Sequence, residues 1–217
     1  MPLTRRLLTA AAASLPALRL ARAQTTGAAA PPAEAVPGAT AGDPRMGERS
    51  LGAAEAKVQV TEWFSLTCTH CAAFQKESFP QVRAKLIDTG RVRYTWRDFP
   101  LDQVALTAAM VARALPPERY EPFISALLSS QDRWAFARGV NSTEELAKFA
   151  ALAGMSRATF NATVADGGLK AAILAAQDAA EKENKVNSTP TFIINGKAVP
   201  GAVSYAEFEK VVDQAGA

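Results

Sequence analysis

Both cysteines of the chain and its only histidine lie in one short segment, Cys68-Thr69-His70-Cys71. Two cysteines in this spacing at a helix start suit thiol–disulfide exchange, in which one thiolate attacks and a second thiol resolves the mixed disulfide. The free N–H groups and the positive end of the helix dipole favour Cys68 as the thiolate. His70 adds to that effect if it is near or protonated. Cys71, one turn inside the helix, is expected to be more buried and to act as the resolving thiol.

Three other roles for the two cysteines are a zinc site, a structural disulfide and packing in the core. A zinc site needs about four ligands, and the sequence has no further Cys or His, so carboxylates would have to complete it. A structural disulfide closing four residues would contribute roughly 2 kcal/mol, and less where a helical turn already orders them. Two core cysteines placed by chance would leave His70 without a packing reason. A redox pair explains all three residues. A stabilised Cys68 thiolate stabilises the reduced form of the pair and makes its disulfide a stronger oxidant. The histidine beside the cysteines therefore favours a protein that donates disulfides.

The sequence around the cysteines predicts a strand, a helix and a second strand. Residues 57–64 alternate between apolar and other side chains, which is typical of a strand. A helix is predicted over about 69–89, kinked by Pro80 and ended by Gly90. Residues 91–96 alternate again. Strand, helix and strand in this order predict a parallel βαβ unit.

The rest of the chain predicts a block of helices and then a hairpin. Residues from about 102 to 186 have a helical pattern throughout, with five helices, the last at about 168–185 and one starting in a capping box at Ser142. Residues 191–200 return to strand pattern around a central Asn-Gly pair, which favours a hairpin turn. A final helix begins at Ser204, with a glutamate three residues on.

The N-terminal region predicts export. Residues 1–23 combine a basic start, a short apolar stretch and an Ala-x-Ala ending at Ala23, which is typical of a cleaved signal peptide. Its apolar stretch is shorter than the ~20 residues of a membrane-spanning helix. Two adjacent arginines near the start also fit a twin-arginine signal, with an ordinary signal as the alternative. Residues 24–46 are rich in Ala and Pro and predict a disordered linker. We therefore expect a periplasmic protein.

Composition limits the function classes. The chain is 48% hydrophobic and 21% charged, which is ordinary for a globular protein. Its formal net charge of +3 includes four arginines of the first 23 residues, so the remainder carries −1. This charge gives no support for nucleic-acid binding. An exported domain with only two cysteines must be held together by its core rather than by disulfides.

Residues from about 47 to 217 resemble the DsbA-like thiol:disulfide oxidoreductases, which are relatives of thioredoxin. The resemblance is carried by Cys68-Thr69-His70-Cys71 at the first helix, the Pro80 kink, the helical block after the second strand, and Thr189-Pro190 before a hairpin. It implies an α/β chain with a thioredoxin fold and an inserted all-helical domain over about 101–168.

The resemblance also implies roles for three further residues. By base rate the Thr189-Pro190 bond would be trans and begin a strand, whereas the resemblance implies a cis bond facing the cysteines. The backbone of Thr189 would then pair with substrate like an added strand, with Pro190 packing near the sulfurs. Glu62 lies on the apolar face of its strand, at the position of a buried acid in related enzymes that exchanges a proton with Cys71. A glutamate reaching solvent near the strand end is the alternative.

The implied activity is donation of the Cys68–Cys71 disulfide to exported proteins with free thiols, without a cofactor or metal. A DsbB-like membrane quinone reductase is the implied reoxidant. A monomer is expected, because no segment resembles the dimerisation domain of exported isomerases. Thr69 and Thr189 stand where strong oxidants of the family have Pro and often Val. An isomerase or reductase therefore stays an alternative, as does a non-catalytic metal- or peptide-binding module.

Overall fold

The computed structural model describes residues 42–217. The predicted signal peptide and nearly all of the predicted linker lie outside these residues. Within the described range, no helix is long and apolar enough to cross a membrane. The first element is a single 3₁₀ turn, Pro44–Met46, at the end of the predicted linker.

Five strands form one sheet in the order β1-β3-β2-β4-β5. Their bounds are β1 Ser50–Leu51, β2 Val58–Phe64, β3 Val92–Asp98, β4 Thr191–Ile194 and β5 Lys197–Pro200. The central pair, β2 and β3, is parallel, as predicted, and the other neighbours are antiparallel. The sheet therefore brings β4, from late in the chain, directly beside β2, whose end leads to the cysteines.

The helix after β2 is interrupted. Helix α1, Thr69–Glu77, ends at Ser78, and the chain continues as α2, Phe79–Val82, and one π-helical turn, Arg83–Ile87. The break falls beside Pro80, which has no N–H to give and crowds the preceding turn, as the sequence predicts. Gly90 then ends the segment with φ +78°, in the left-handed region that glycine adopts without strain.

The block between β3 and β4 holds six helices where the sequence predicts five. They are α3 Gln103–Ala114, α4 Pro117–Leu128, α5 Gln131–Trp134, α6 Ser142–Leu152, α7 Arg157–Val164 and α8 Gly167–Glu183. The additional one, α5, is a single turn without a side-chain cap, so no sequence signal marks its start. The predicted insertion, residues 101–168, spans α3 to α7 and the first two residues of α8.

The predicted cap at Ser142 is wrong by one residue. Asn141 is the N-cap of α6, and its side-chain oxygen accepts the backbone N–H groups of Thr143 and Glu144. Asparagine is as good an N-cap as serine and lies one position earlier, so it takes the orphan donors first. The last helix, α9 Tyr205–Gly216, has the predicted capping box of Ser204 and Glu207.

An aromatic core joins the sheet to the helices that carry the site. Phe74 of α1 packs against Phe192 of β4 and Phe208 of α9, with ring centroids 4.7 and 5.8 Å apart. Phe79 packs edge-on against Tyr94 of β3 at 5.3 Å. Because these rings are almost wholly buried, they fix α1 against the sheet and with it the position of both cysteines.

Candidate active site

Cys68 is the N-cap residue of α1. Its backbone is extended, with φ −80° and ψ 119°, and its Sγ accepts the backbone N–H of Cys71 at 3.4 Å. A side chain at this position faces the unpaired N–H groups and the positive end of the helix dipole. The sulfur therefore occupies the place where a capping oxygen usually sits, which favours its anionic form.

The two thiols differ in exposure. Both cysteines are free thiols; Cys71 is fully buried, and Cys68 retains 6% of its surface. The deeper burial of Cys71 agrees with its expected place one turn inside the helix.

The pKa values of the two thiols move in opposite directions. The pKa of Cys68 is lowered to about 5, first because the Cys71 thiol donates a hydrogen bond to its sulfur, and further because the N–H groups of Cys71 and His70 point at it; burial opposes this. The pKa of Cys71 is raised well above its usual value by burial, by its hydrogen bond to Cys68 and by the charge of Glu62. At neutral pH Cys68 is thus the thiolate, and Cys71 holds the proton.

The loop at Thr189-Pro190 faces Cys68. The peptide bond between these residues is cis, as the family resemblance implies. In its protonated form the Cys68 thiol donates to the Thr189 carbonyl oxygen at 3.2 Å. The Thr189 hydroxyl is buried and has no other hydrogen-bond partner, and its hydrogen bond to the ionised sulfur helps to lower the pKa of Cys68. Once Cys68 ionises, the Thr189 carbonyl loses that donor and can accept one from another chain.

Glu62 lies inside the sheet's buried face. Its side chain is 3% exposed, and its Oε2 accepts the Tyr94 hydroxyl at 2.8 Å. Burial raises the pKa of Glu62 to about 8, and the negative charge of Cys68 adds to that rise, while the Tyr94 hydrogen bond opposes it. The alternative of a solvent-reaching glutamate is wrong. The carboxyl is a buried group that can hold or release a proton near neutral pH.

Thr69 and His70 form the first turn of α1, and both are exposed. The contribution of His70 to the lowered pKa of Cys68 comes through its backbone N–H. The structure thus brings Glu62, Cys68, Cys71 and Thr189 together. The side chains of Thr69 and His70 lie at the edge of this group, exposed to solvent.

Two side chains of the site were missed by sequence reasoning. Gln131 of α5 donates its Nε2 hydrogens to the carbonyls of Leu66 and Cys68, at 2.9 and 3.0 Å. Tyr94, on β3, is the partner of Glu62. The alternation of β3 puts Tyr94 on the same face as Trp96, which could have suggested its approach to β2; Gln131 has no local signal. No cluster of metal-ligating side chains occurs among the described residues.

Comparison with known proteins identifies the family. The family model described as Thioredoxin matches residues 45–214. Among curated proteins, "Putative protein-disulfide oxidoreductase RP025" of Rickettsia prowazekii is 30% identical over 166 residues. The match covers 76% of this chain and 60% of that protein. The chain therefore spans less than two thirds of the length of this relative.

Solved structures give the same assignment. Alpha-DsbA1 of Wolbachia pipientis is 30% identical, with a TM-score of 0.71, covering 77% of this chain and 89% of that one. Oxidised BdbD of Bacillus subtilis, 20% identical with a TM-score of 0.69, covers 77% and 92% and shows the shared fold alone. From the matched family model, these likenesses and the site geometry, the chain belongs to the thioredoxin family, as a DsbA-like member.

Proposed function

We propose that the protein is an exported thiol:disulfide oxidoreductase that donates its Cys68–Cys71 disulfide to other exported proteins. The observation that carries this proposal is the opposite behaviour of the two sulfurs: a capping thiolate at Cys68 and a buried, protonated thiol at Cys71. A pair of this kind favours its reduced form, so its disulfide is readily given away. The names of the relatives describe the same kind of chemistry.

The reaction proceeds by two exchanges. A substrate thiolate attacks Cys68 Sγ, the bond between the sulfurs of Cys68 and Cys71 breaks, and Cys71 leaves as a thiolate that takes up a proton. We propose that the buried Glu62 carboxyl donates that proton to Cys71. A second substrate thiolate then attacks the substrate sulfur of the mixed disulfide, and Cys68 leaves as a thiolate. Two substrate thiols are oxidised to one disulfide, and the protein's disulfide is reduced to the dithiol.

The loop at Thr189-Pro190 is the proposed substrate contact. The Thr189 carbonyl lies 3.2 Å from Cys68 Sγ, so an extended peptide whose cysteine meets Cys68 can pair its backbone with this residue. His70 and Thr69, exposed beside it, are proposed to contact the substrate and the reoxidant. That reoxidant is proposed to be a DsbB-like membrane quinone reductase, and the working form a periplasmic monomer without its first 23 residues.

A redox titration against glutathione tests the direction. A Cys68 pKa of about 5 rather than 9 favours the reduced form by about 2.7 kcal/mol at pH 7, or roughly 60 mV. We therefore expect a potential above thioredoxin's, about −270 mV. A thioredoxin-like value would reject the oxidase. Cys68→Ser is the control, and unchanged peptide oxidation in that variant would reject every catalytic proposal.

A second candidate is an isomerase or reductase. It is favoured by Thr69, between the cysteines, and Thr189, before Pro190, because residues at these positions affect the redox potential of the cysteine pair. It needs the site kept reduced by an electron donor. Trapping the thiols in cells with an alkylating reagent separates the candidates: a fully reduced pool supports the isomerase or reductase, and a largely oxidised pool supports the oxidase.

A further inference from the structure

The four residues leading into the active-site helix, Ser65 to Cys68, are held by side chains from the helical block. We call this segment the nucleophile loop. On one side, the Thr67 hydroxyl donates to Asp102, the N-cap of α3, at 2.8 Å. On the other, the Gln131 amide of α5 donates to the Leu66 and Cys68 carbonyls at 2.9 and 3.0 Å. The loop therefore lies between two polar contacts from the same block.

The Gln131 contacts are buried. Gln131 is 7% exposed and Leu66 only 2%. The Cys68 carbonyl also accepts the first helical bond of α1, from Ala72 N–H at 3.1 Å. Among the described residues, 42–217, only Gln131 donates a hydrogen bond to the Leu66 carbonyl. Replacement of its amide would leave a buried carbonyl unpaired immediately before the nucleophile, and buried backbone groups rarely stay so.

Gln131 is itself fixed in place. Its own carbonyl accepts the N–H groups of Ala135 and Phe136, both at 2.9 Å. Three residues on, the fully buried Trp134 donates its indole N–H to the Leu127 carbonyl at 2.8 Å. The backbone of Gln131 is therefore held in place by contacts outside the nucleophile loop. Its two side-chain hydrogen bonds can then restrict the movement of that loop.

We propose that Gln131 is a positioning residue that fixes the backbone of Leu66 and Cys68 and so keeps the Cys68 sulfur on the N–H groups of α1. Capping depends on the extended backbone of Cys68, because a change in its ψ swings Sγ away from the Cys71 N–H. The role rests on the proposed function for its importance in turnover. The geometry it controls is measurable on the thiol alone.

The test compares two substitutions of equal chemistry. Gln131→Met keeps the length of the side chain and removes both donors. Gln75→Met is the matched control, because Gln75 Nε2 donates at 2.8 Å to Ser125 Oγ of α4 and so also joins α1 to the helical block, away from the nucleophile loop. The readout is the rate of Cys68 alkylation by iodoacetamide between pH 4 and 9 in the reduced protein, in which Cys71 is fully buried and its pKa is raised.

We expect Gln131→Met to shift the midpoint of the alkylation profile to higher pH and to slow alkylation at pH 5.5 by about threefold or more. Gln75→Met should leave the midpoint in place although it also removes a contact between α1 and the helical block. Equal midpoints in the two variants would mean that Gln131 is merely structural and would overturn the proposal.

Gln131→Ala is the second variant, should the methionine protein not fold. It also removes both donors and adds no bulk or charge beside the nucleophile loop, so the midpoint should rise as in Gln131→Met. An unchanged midpoint in folded Gln131→Ala would also overturn the proposal. Because alkylation needs no disulfide exchange, failure of the proposed oxidase function leaves this result readable.

Discussion

Tyr94 Oη donates a 2.8 Å hydrogen bond to Glu62 Oε2 inside the protein, and neither residue is more than 3% exposed. The pairing follows from the sheet register: Val60 lies opposite Tyr94 and Glu62 opposite Trp96, so the tyrosine reaches diagonally to the next inward-facing residue of β2. The Glu62 carboxyl, in turn, raises the pKa of Cys71 by its charge. The phenol, the carboxyl and the two sulfurs thus shift one another's pKa values.

Glu62→Gln should remove a pH dependence of stability. The pKa of Glu62 is about 8 in the folded protein against a usual 4.5, so unfolding between these values releases a proton. Rising pH therefore favours unfolding, by about 1.4 kcal/mol per pH unit between about pH 5 and 8. The stability of the wild type relative to the variant should therefore fall across that window, in urea unfolding of both proteins in the same redox form at several pH values.

Glu207→Gln is the control for that experiment. The pKa of Glu207 is lowered by its hydrogen bonds with Ser204 in the exposed capping box. The Glu207 carboxylate therefore stabilises the folded protein above the pKa that Glu207 has in the unfolded chain. Glu207→Gln should weaken the protein at neutral pH, and the pH dependence that it removes is opposite in sign to the one that Glu62→Gln removes. Parallel pH profiles for wild type and Glu62→Gln would show that this carboxyl is not buried as described.

Tyr94→Phe should destabilise the protein more at pH 9 than at pH 6. The substitution keeps the ring that packs on Phe79 and Trp96 and removes only the hydroxyl. Because that hydroxyl lowers the pKa of Glu62, its loss raises this pKa further and extends the destabilising window upward. Chemical unfolding of both proteins at the two pH values measures the difference. Equal losses at both pH values would show that the hydroxyl does not stabilise the Glu62 carboxylate.

The dithiol form should become progressively more stable than the disulfide form as pH rises. The pKa of Cys68 is lowered from 9.0 to about 5, so its stabilisation is complete above pH 9 and is lost as pH falls through 5. The difference in free energy of unfolding between the two forms should grow by about 1.4 kcal/mol per pH unit in that window. Reduced Cys68→Ser should lack this rise. A flat difference would mean that Cys68 titrates as a free thiol.

Arg113→Met should destabilise the protein by about 3–5 kcal/mol, because it leaves a buried carboxylate without its partner. Arg113 Nε lies 2.5 Å from Asp98 Oδ2, with side chains 1% and 3% exposed. Arg93→Met is the matched control; its ion pair with Glu48 is partly exposed, so its loss should cost below about 1 kcal/mol. Similar losses in thermal or urea unfolding would contradict the burial of the Asp98 pair.

The parts of the fold that follow from neighbouring residues could be predicted from the sequence. Strand β2 follows from alternation, the hairpin of β4 and β5 from Asn195-Gly196, and α9 from the Ser204 cap. The place of Cys68 at the start of α1 follows as well, since a strand pattern meets a helix pattern there. These elements have short-range causes, which a sequence displays directly.

The contacts that complete the site could not be predicted, because they join distant segments. Gln131 reaches carbonyls 63 and 65 residues earlier, and Tyr94 meets Glu62 across 32 residues. Helix α5 was missed because one turn without a cap has no period to detect. Such contacts depend on how helices and sheet pack, which local patterns do not specify.

The Cys68 sulfur and the Thr189 carbonyl are separated by 121 residues of chain. At about 5–20 residues per second, a ribosome adds this stretch in roughly 6 to 24 seconds. Until then, a growing polypeptide has a cysteine at position 68 but no opposing loop beside it. The contact between the Cys68 sulfur and the Thr189 carbonyl therefore forms only after residue 189 has been translated.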